Sequence, residues 1–366
     1  MSKKYLYQSI KEKIKNDTKD LKPGSRIPSR VELIKQYNVT HTTIEKAISE
    51  LIGEGYLYTL EGSGTFIAKK EDKSKEISIQ TWGLIIPNIL TDTYPGILRG
   101  VEDFAHEKDI NIVVCNTDHD IAKQDHYIRK LVSTKVNGII IVPAIYSSSA
   151  DFQYLVSKKI PFVFCNRGVW NINAPQILSN NYYGSYLATK HLINIGYKNI
   201  AFLSYPYYSH TVARYQGYLA ALYEHNMPIH DELVIFESSF DDPSTGYESG
   251  KQLFSYEIKP DAVVCCNDSI AKGLYKAVAE LGLVVGKDLG VIGYDDSTIC
   301  EMLPVKLTSI YYPKYETGYT AAQVLWKLVN GEKINKNYTK ILKPELRIRE
   351  SCGYKRKQEL EDITHL

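Results

Sequence analysis

The chain has 366 residues, 44% hydrophobic and 23% charged, with a formal net charge of +2. That length exceeds one ordinary core and predicts two or three domains, and the apolar fraction excludes global disorder. No apolar run approaches the ~20 residues of a membrane-spanning helix, and the Lys-rich N-terminus lacks the apolar stretch of a secretory signal. Six scattered cysteines without a C-x-x-C pair argue against a disulfide framework or a structural zinc site. A cytoplasmic protein with reduced core thiols, no metal and no cofactor is the expectation. The charge is unevenly placed: residues 1–70 carry 13 basic and eight acidic side chains, the remainder 31 and 34. A basic head on a mildly acidic body is compatible with nucleic acid, and equally with an ordinary surface.

In chain order, residues 1–69 read as three helices and a hairpin. Leu6, Ile10 and Ile14 form one stripe of a first helix, and Lys22-Pro23-Gly24 is a turn signal. Ser29-Arg30-Val31-Glu32 is a capping box opening a short second helix with Leu33 and Ile34 on its apolar side. After the turn Tyr37-Asn38-Val39, Thr40 is the next N-cap, and Ile44, Ala47, Ile48 and Leu51 fall on one face of a third helix. That stripe turns Thr42, Glu45, Lys46 and Ser49 to the opposite face. Two strands then flank Glu61-Gly62-Ser63-Gly64. The pattern is a winged helix-turn-helix. Its third helix suits a major groove, Thr40 and the first-turn amides suit a phosphate, and Gly62 and Gly64 let the wing approach closely. A protein-interaction module has the same outline.

Lys69 to Lys75 contains no apolar residue and reads as a solvated linker, so 70–80 is predicted to separate the head from a domain over 81–366. There the pattern changes to short apolar runs alternating with amphipathic helices. Strands are predicted at Trp82–Ile86, Ile110–Cys115, Gly138–Val142, Pro161–Cys165, Ile200–Leu203, Ala262–Cys266 and Leu289–Tyr294. Helices are predicted at Ile97–Glu107, Tyr186–Ile195 and Ile270–Leu281, among others. Alternating units of this kind imply parallel sheets covered by helices on both faces, here in two lobes. Such bodies bind small molecules between the lobes, beyond the carboxyl ends of the strands. The residues there are Asn166-Arg167, Asn267-Asp268 and Asp295-Asp296, with Arg214 expected at the start of a helix. An amide, a carboxylate and a guanidinium suit a polyhydroxylated ligand, whose hydroxyls both donate and accept. Tyr94, Trp170 and Phe240 are candidates to stack on the C–H face of a sugar. Each has a plainer alternative: Asp268 as a helix N-cap, Asp296 as a pairing partner, the aromatics as packing.

The head resembles the GntR family in Tyr7-Gln8-Ser9-Ile10, Pro23-Gly24, Ile27-Pro28-Ser29-Arg30-Val31-Glu32-Leu33, the run Val39 to Ile48, and Gly62-Ser63-Gly64-Thr65-Phe66-Ile67. That family's usual arginines fall here on Val31, His41 and Glu45, so bidentate Arg-to-guanine readout is not available from those positions. The DNA-contacting set implied is Lys4, Arg30, Thr40, His41, Thr42, Thr43, Glu45, Lys46, Gly62 and Gly64. The body resembles the LacI/GalR effector-binding domain in Trp82 to Pro87, Val136 to Ile140, Arg214-Tyr215-Gln216-Gly217-Tyr218, Cys266 to Ala271 and Val291 to Ser297. That resemblance implies effector contacts from Asn267, Asp295 and Arg214. The full candidate set adds Tyr94, Asn166, Arg167 and Phe240, with Asn166 standing where the family often has Asp. A GntR head on a LacI-type body resembles the arabinose-repressor family.

The expected fold is α/β: an N-terminal winged helix-turn-helix plus a two-lobed, periplasmic-binding-protein-like (type I) domain of parallel sheets. The expected function is a homodimeric, sugar-responsive repressor that binds a pseudo-palindromic operator in double-stranded DNA. A pentose is the expected effector, L-arabinose leading, with no membrane partner. An enzyme of the aminotransferase-fused kind and a plain sugar-binding or transport protein are the rivals. The first lacks its motifs here, and the second lacks a leader and has no use for a winged head.

Overall fold

The computed structural model describes residues 6–60, 62–68, 80–205, 209–237, 243–335 and 337–354. It divides into two compact units, residues 1–78 and 79–366.

In the first unit, α1 (Leu6–Asp17), α2 (Arg30–Tyr37) and α3 (His41–Gly53) precede the antiparallel pair β1 (Leu57–Leu60) and β2 (Gly64–Ile67). The stripe Ile44, Ala47, Ile48 and Leu51 is at most 1% exposed and meets Ile10 and Ile14 of α1. Each such side chain contributes about 1.5–3 kcal/mol by leaving water. Leu6 opens α1 and stays 62% exposed, so the stripe of that helix begins at Ile10. Both bonds of the Ser29/Glu32 capping box form, and Asn38 ends α2 in the left-handed region at φ 51°. Lys11 and Lys15 reach Glu50 and Glu54 at 2.7–2.9 Å, tying α1 to the end of α3. These two lysines hold the Glu54 carboxyl down at about 2.

The second unit has two lobes. The first runs β3 (Gln80–Ile86), α4 (Thr93–Glu107), β4 (Ile110–Asn116), α5 (Ile121–Ser133), β5 (Gly138–Ile141), α6 (Gln153–Lys158), β6 (Phe162–Asn166) and β7 (Gln176–Ser179). The second runs α7 (Asn181–Asn194), β8 (Ile200–Ser204), α8 (Ser209–Glu224), β9 (Val234–Phe236), α9 (Pro243–Leu253), β10 (Ala262–Cys265), α10 (Asp268–Glu280), β11 (Gly290–Tyr294), α11 (Ile299–Met302) and β12 (Thr308–Tyr311). The chain then returns to the first lobe with α12 (Lys314–Val329) and β13 (Thr339–Leu342), and crosses a third time to β14 (Glu345–Arg347). The sheet orders are β13-β7-β6-β5-β3-β4 and β14-β12-β11-β10-β8-β9, parallel except for β14 on β12. In both, the strand order reverses beside the first strand of the lobe, which opens a crevice at the carboxyl ends.

All seven expected strands are present, within two residues at either end. Five further strands were not expected: β7, β9, β12, β13 and β14, of three or four residues each. Helices α4 and α7 begin four and five residues before their apolar periodicity does. Helix α12 packs on α4 through glycines from opposite ends of the unit. A Cβ on Gly100 would stand 2.1 Å from the Tyr315 carbonyl, and one on Gly318 would stand 2.0 Å from that of Ile97. All six cysteines are buried free thiols. Among the described residues no helix is long and apolar enough to cross a membrane.

Candidate functional site

The second-lobe wall of the crevice is built around a buried guanidinium. Arg214 is not at a helix start, as expected, but in the second turn of α8, because that helix begins at Ser209. It is 6% exposed. Its Nε donates to Asn181 Oδ1 at 2.9 Å, Nη1 to the Cys266 carbonyl, and Nη2 to Asp295 Oδ1 at 3.4 Å. Its Cζ lies 3.5 Å from the Tyr294 ring centroid. Asp295 leaves β11 at φ 102°, a region that costs a residue with a Cβ about 1–3 kcal/mol and persists only where the surroundings enforce it. Burial pushes its carboxyl upward, against the pull of Arg214 and then Lys314.

Asn267 is the N-cap of α10, its Oδ1 accepting from the Ile270 amide at 2.8 Å. Its side-chain carbonyl oxygen is therefore committed to the helix. Asp268 is not the cap. Buried at 2% exposure, it accepts from Ser309 Oγ at 2.6 Å, the Ser297 amide at 2.8 Å and Cys300 Sγ at 3.3 Å. Burial, and then the nearby Asp295, push its carboxyl up to about 6. It braces the loop that presents Asp295. Asp296 pairs with Arg349 at 2.8 Å.

The first-lobe wall is less buried in its charge. Tyr94, in the first turn of α4, accepts from Arg167 Nη2 at 3.0 Å, and Arg167 Nη1 donates to the Pro143 carbonyl at 3.3 Å. Asn166 ends β6 in the left-handed region at φ 65°. Tyr94, Asn166, Arg167, Arg214, Asn267 and Asp295 all line one polar chamber of about 40 Å³, space for a few waters. It opens on either side into spaces of about 380 and 290 Å³. Trp170 is 83% exposed and lines the larger one. Phe240 and Lys4 lie outside the described residues.

Sequence reasoning missed Asn181, Tyr205, His210 and Tyr312, which line the same chamber. Tyr205 follows β8, so the post-strand rule that marks Asn166 applies to it as well. Asn181 and Tyr312 sit where the chain crosses between lobes, and no local pattern marks a crossing. His210 Nε2 meets Tyr205 Oη at 2.9 Å; burial, then Arg167 and Arg214, push its imidazole well below its ordinary range. Burial and then Arg167 bring His119 down to about 4.

In the head, His41, Thr42, Lys46 and Ser49 are exposed on α3, with Thr43 and Glu45 half-buried. Thr40 occupies the N-cap position but makes no capping bond; its hydroxyl pairs with that of Thr43 at 2.9 Å. Glu45 is engaged by Arg30 Nε, and Arg30 also reaches Thr65 Oγ1 at 3.4 Å. These two residues therefore join α2, α3 and the wing before either meets a ligand. Lys46 Nζ lies 4.3 Å from the Tyr7 ring centroid. Gly62 and Gly64 take φ 73° and 118°, and a Cβ on Gly64 would stand 2.7 Å from Arg26 Nε, so the wing needs glycine there.

A buried, pre-paired ionic wall facing a looser polar one, alongside a winged helix with an exposed polar face, defines a small-molecule sensor with a DNA-binding head. Comparisons agree. The family model of bacterial regulatory proteins, gntR family, matches residues 4–67, and that of the periplasmic binding protein-like domain matches 189–352. The HTH-type transcriptional repressor PurR of Mannheimia succiniciproducens is 33% identical over 270 residues, 74% of this chain and 80% of that protein. The chain belongs to this family of transcriptional repressors and is not an enzyme. The similarity extends through both units to the arabinose metabolism transcriptional repressor of Geobacillus stearothermophilus, 28% identical over 337 residues, 90% of this chain and 92% of that one. Among solved structures, a LacI family transcriptional regulator from Enterococcus faecium with bound ribose is 27% identical, with a TM-score of 0.65 over 74% of this chain and 98% of that one.

Proposed function

We propose that this repressor binds a pseudo-palindromic operator as a dimer and is released from it by a small sugar, a pentose with L-arabinose leading. Residues 1–69 are the DNA-binding head, 70–80 the linker and 81–366 the sensor and dimerisation domain, working in the cytoplasm. The observation that carries the reading is the convergence of Arg214, Asp295 and the Asn267 amide from one lobe with Arg167, Tyr94 and Asn166 from the other on a single polar chamber. Charged donors, a carboxylate acceptor and amide groups on opposite walls match a ring that carries hydroxyls all round. The ribose in the Enterococcus structure and the name of the Geobacillus relative both favour a pentose.

A ligand held by both walls favours closure of the lobes, which Thr298 Oγ1 already links by donating to Asp92 Oδ2 at 3.0 Å. Release of the operator requires only that the sugar bind the non-repressing state more tightly; a hundredfold preference supplies about 2.7 kcal/mol. The test is a thermal-shift screen of pentoses, hexoses and their phosphates, followed by operator titration with and without the sugar that scores. L-arabinose or a related pentose should raise the melting temperature and weaken operator binding. A protein that no sugar stabilises, or whose operator affinity ignores the sugar it binds, would refute the proposal.

A further inference from the structure

The polar face of α3 has an acid at its middle. Glu45 follows His41 by one turn and precedes Ser49 by another. A bare carboxylate there would be repelled by the phosphates of any duplex lying on the helix. It is not bare. Arg30, the first residue of α2, donates from Nε to Glu45 Oε1 and from Nη1 to Thr65 Oγ1 of β2 at 3.4 Å. His41 Nε2 stands 3.7 Å from the same carboxylate oxygen. The guanidinium is thus carried by α2 but seated against the second turn of α3, in the half of such a helix that meets base edges. Glu45 takes Nε, and Thr65 takes one hydrogen of Nη1. Among the described residues nothing engages Nη2, and the side chain stays 34% exposed, so its outer edge is open. That edge matches the O6 and N7 acceptors of guanine. A guanidinium held at Nε has given up much of its rotamer freedom before binding, so less is lost when it reads a base. Arg26 supplies the contrast. Its backbone pairs with Phe66 of β2 and its guanidinium lies beside Gly64, exposed and tied by no hydrogen bond or ion pair among the described residues. An arginine of that kind suits a phosphate, which asks for charge rather than for a fixed direction.

We propose that Arg30 is the guanine-reading residue of the head and that Glu45 is a positioning residue that aims it, with Arg26 a phosphate contact on the wing. The inference rests on the operator-binding reading and deepens it by naming what is read: a G·C pair at one fixed position of each half-site, reached from α2 rather than from α3.

Selection by the full chain from a randomised duplex pool supplies the probe. The selected duplex is then titrated with the wild type, Arg30→Lys, Glu45→Ala, their double variant and Arg26→Ala. The wild type should select a two-fold consensus with guanine at a fixed position in each half. Arg30→Lys keeps the charge but not the planar fork. It should bind the selected duplex about tenfold or more weakly and no longer tell G·C from A·T at that position. Glu45→Ala should lose the same preference at the same position. The double variant should be no worse than Arg30→Lys, because Glu45 acts through Arg30. Arg26→Ala should weaken all duplexes alike and lower the salt slope by about one. A purely structural pair would move the melting temperature and leave the base preference intact. That outcome would overturn the proposal and leave the operator reading standing. So would a preference that survives Arg30→Lys, one lost with Arg26 instead, or losses from Arg30 and Glu45 that fall on different base pairs and add. A full chain that selected no sequence from the pool would bring down both readings.

Discussion

The third helix of the head and the second-lobe wall hold their candidate side chains at opposite ends of the burial scale. On α3, Thr42 and Lys46 stand in solvent while Ile44, Ala47, Ile48 and Leu51 hold the helix in place, so the residues that stabilise and the residues offered to a partner are different sets. In the wall they are the same set. Arg214 is buried, bonded to three residues and stacked on a fourth, and Asp295 depends on it for charge. A polar face that meets an already solvated phosphate backbone gains nothing from being dry. A site that must hold a small neutral ligand does, because hydrogen bonds strengthen as water is excluded, and its charges then need partners before the ligand arrives. Separation of function is therefore available in the head and restricted in the wall.

Arg214→Ala probes the contrast most severely. It leaves the Asp295 carboxyl and the Cys266 carbonyl without their buried partner and should cost about 3–5 kcal/mol of stability, together with the effector response. Denaturant unfolding followed by calorimetry measures both, and an unmoved unfolding midpoint would break the comparison. Thr42→Ala and Lys46→Ala should each weaken operator binding by about 1–3 kcal/mol where the side chain reaches a base edge, with the melting temperature unmoved. Operator titration at fixed salt, beside a thermal melt, decides; unchanged affinity in both variants would put the recognition surface elsewhere.

Acidification tests the crevice as a whole. His119 and His210 titrate lower when folded than when unfolded, so their contribution is complete above the ordinary histidine value of 6.5 and is lost as pH falls through the folded value, about 4 for His119. Each can add a slope of up to about 1.4 kcal/mol per pH unit. Asp268, raised to about 6, acts the other way: its contribution is complete below 3.8 and lost as pH rises through 6. The double variant His119→Asn/His210→Asn should flatten the fall in stability between pH 6.5 and 4, measured by urea titration at each pH. An identical fall in the variant would contradict the crevice electrostatics. The mildest change is Tyr94→Phe on the looser wall. Loss of the acceptor for Arg167 should lower effector affinity by about 0.5–1.5 kcal/mol and leave stability nearly untouched, since Arg167 keeps the Pro143 carbonyl and access to water. A stability loss comparable to that of Arg214→Ala would show the two walls to be alike.

By itself the sequence determined whatever depends on neighbours along the chain. The capping box at Ser29, the α3 stripe, the glycines of the wing, the seven expected strands and the post-strand positions of Asn166, Arg167, Asn267 and Asp295 follow from local periodicity and backbone chemistry. Tertiary structure alone decided what those residues do for one another. Arg30 and Glu45 look like two separate DNA contacts until folding joins them, and Asn267 rather than Asp268 caps α10 because the chain turns one residue earlier than the acidic pattern suggests. Asn181 and Tyr312 reach the chamber only because the chain crosses between the lobes, and α12 covers the first lobe from more than 200 residues after α4. Such partnerships are contacts between distant segments, set by sheet order and helix packing, and a window of ten or fifteen residues carries no term for them.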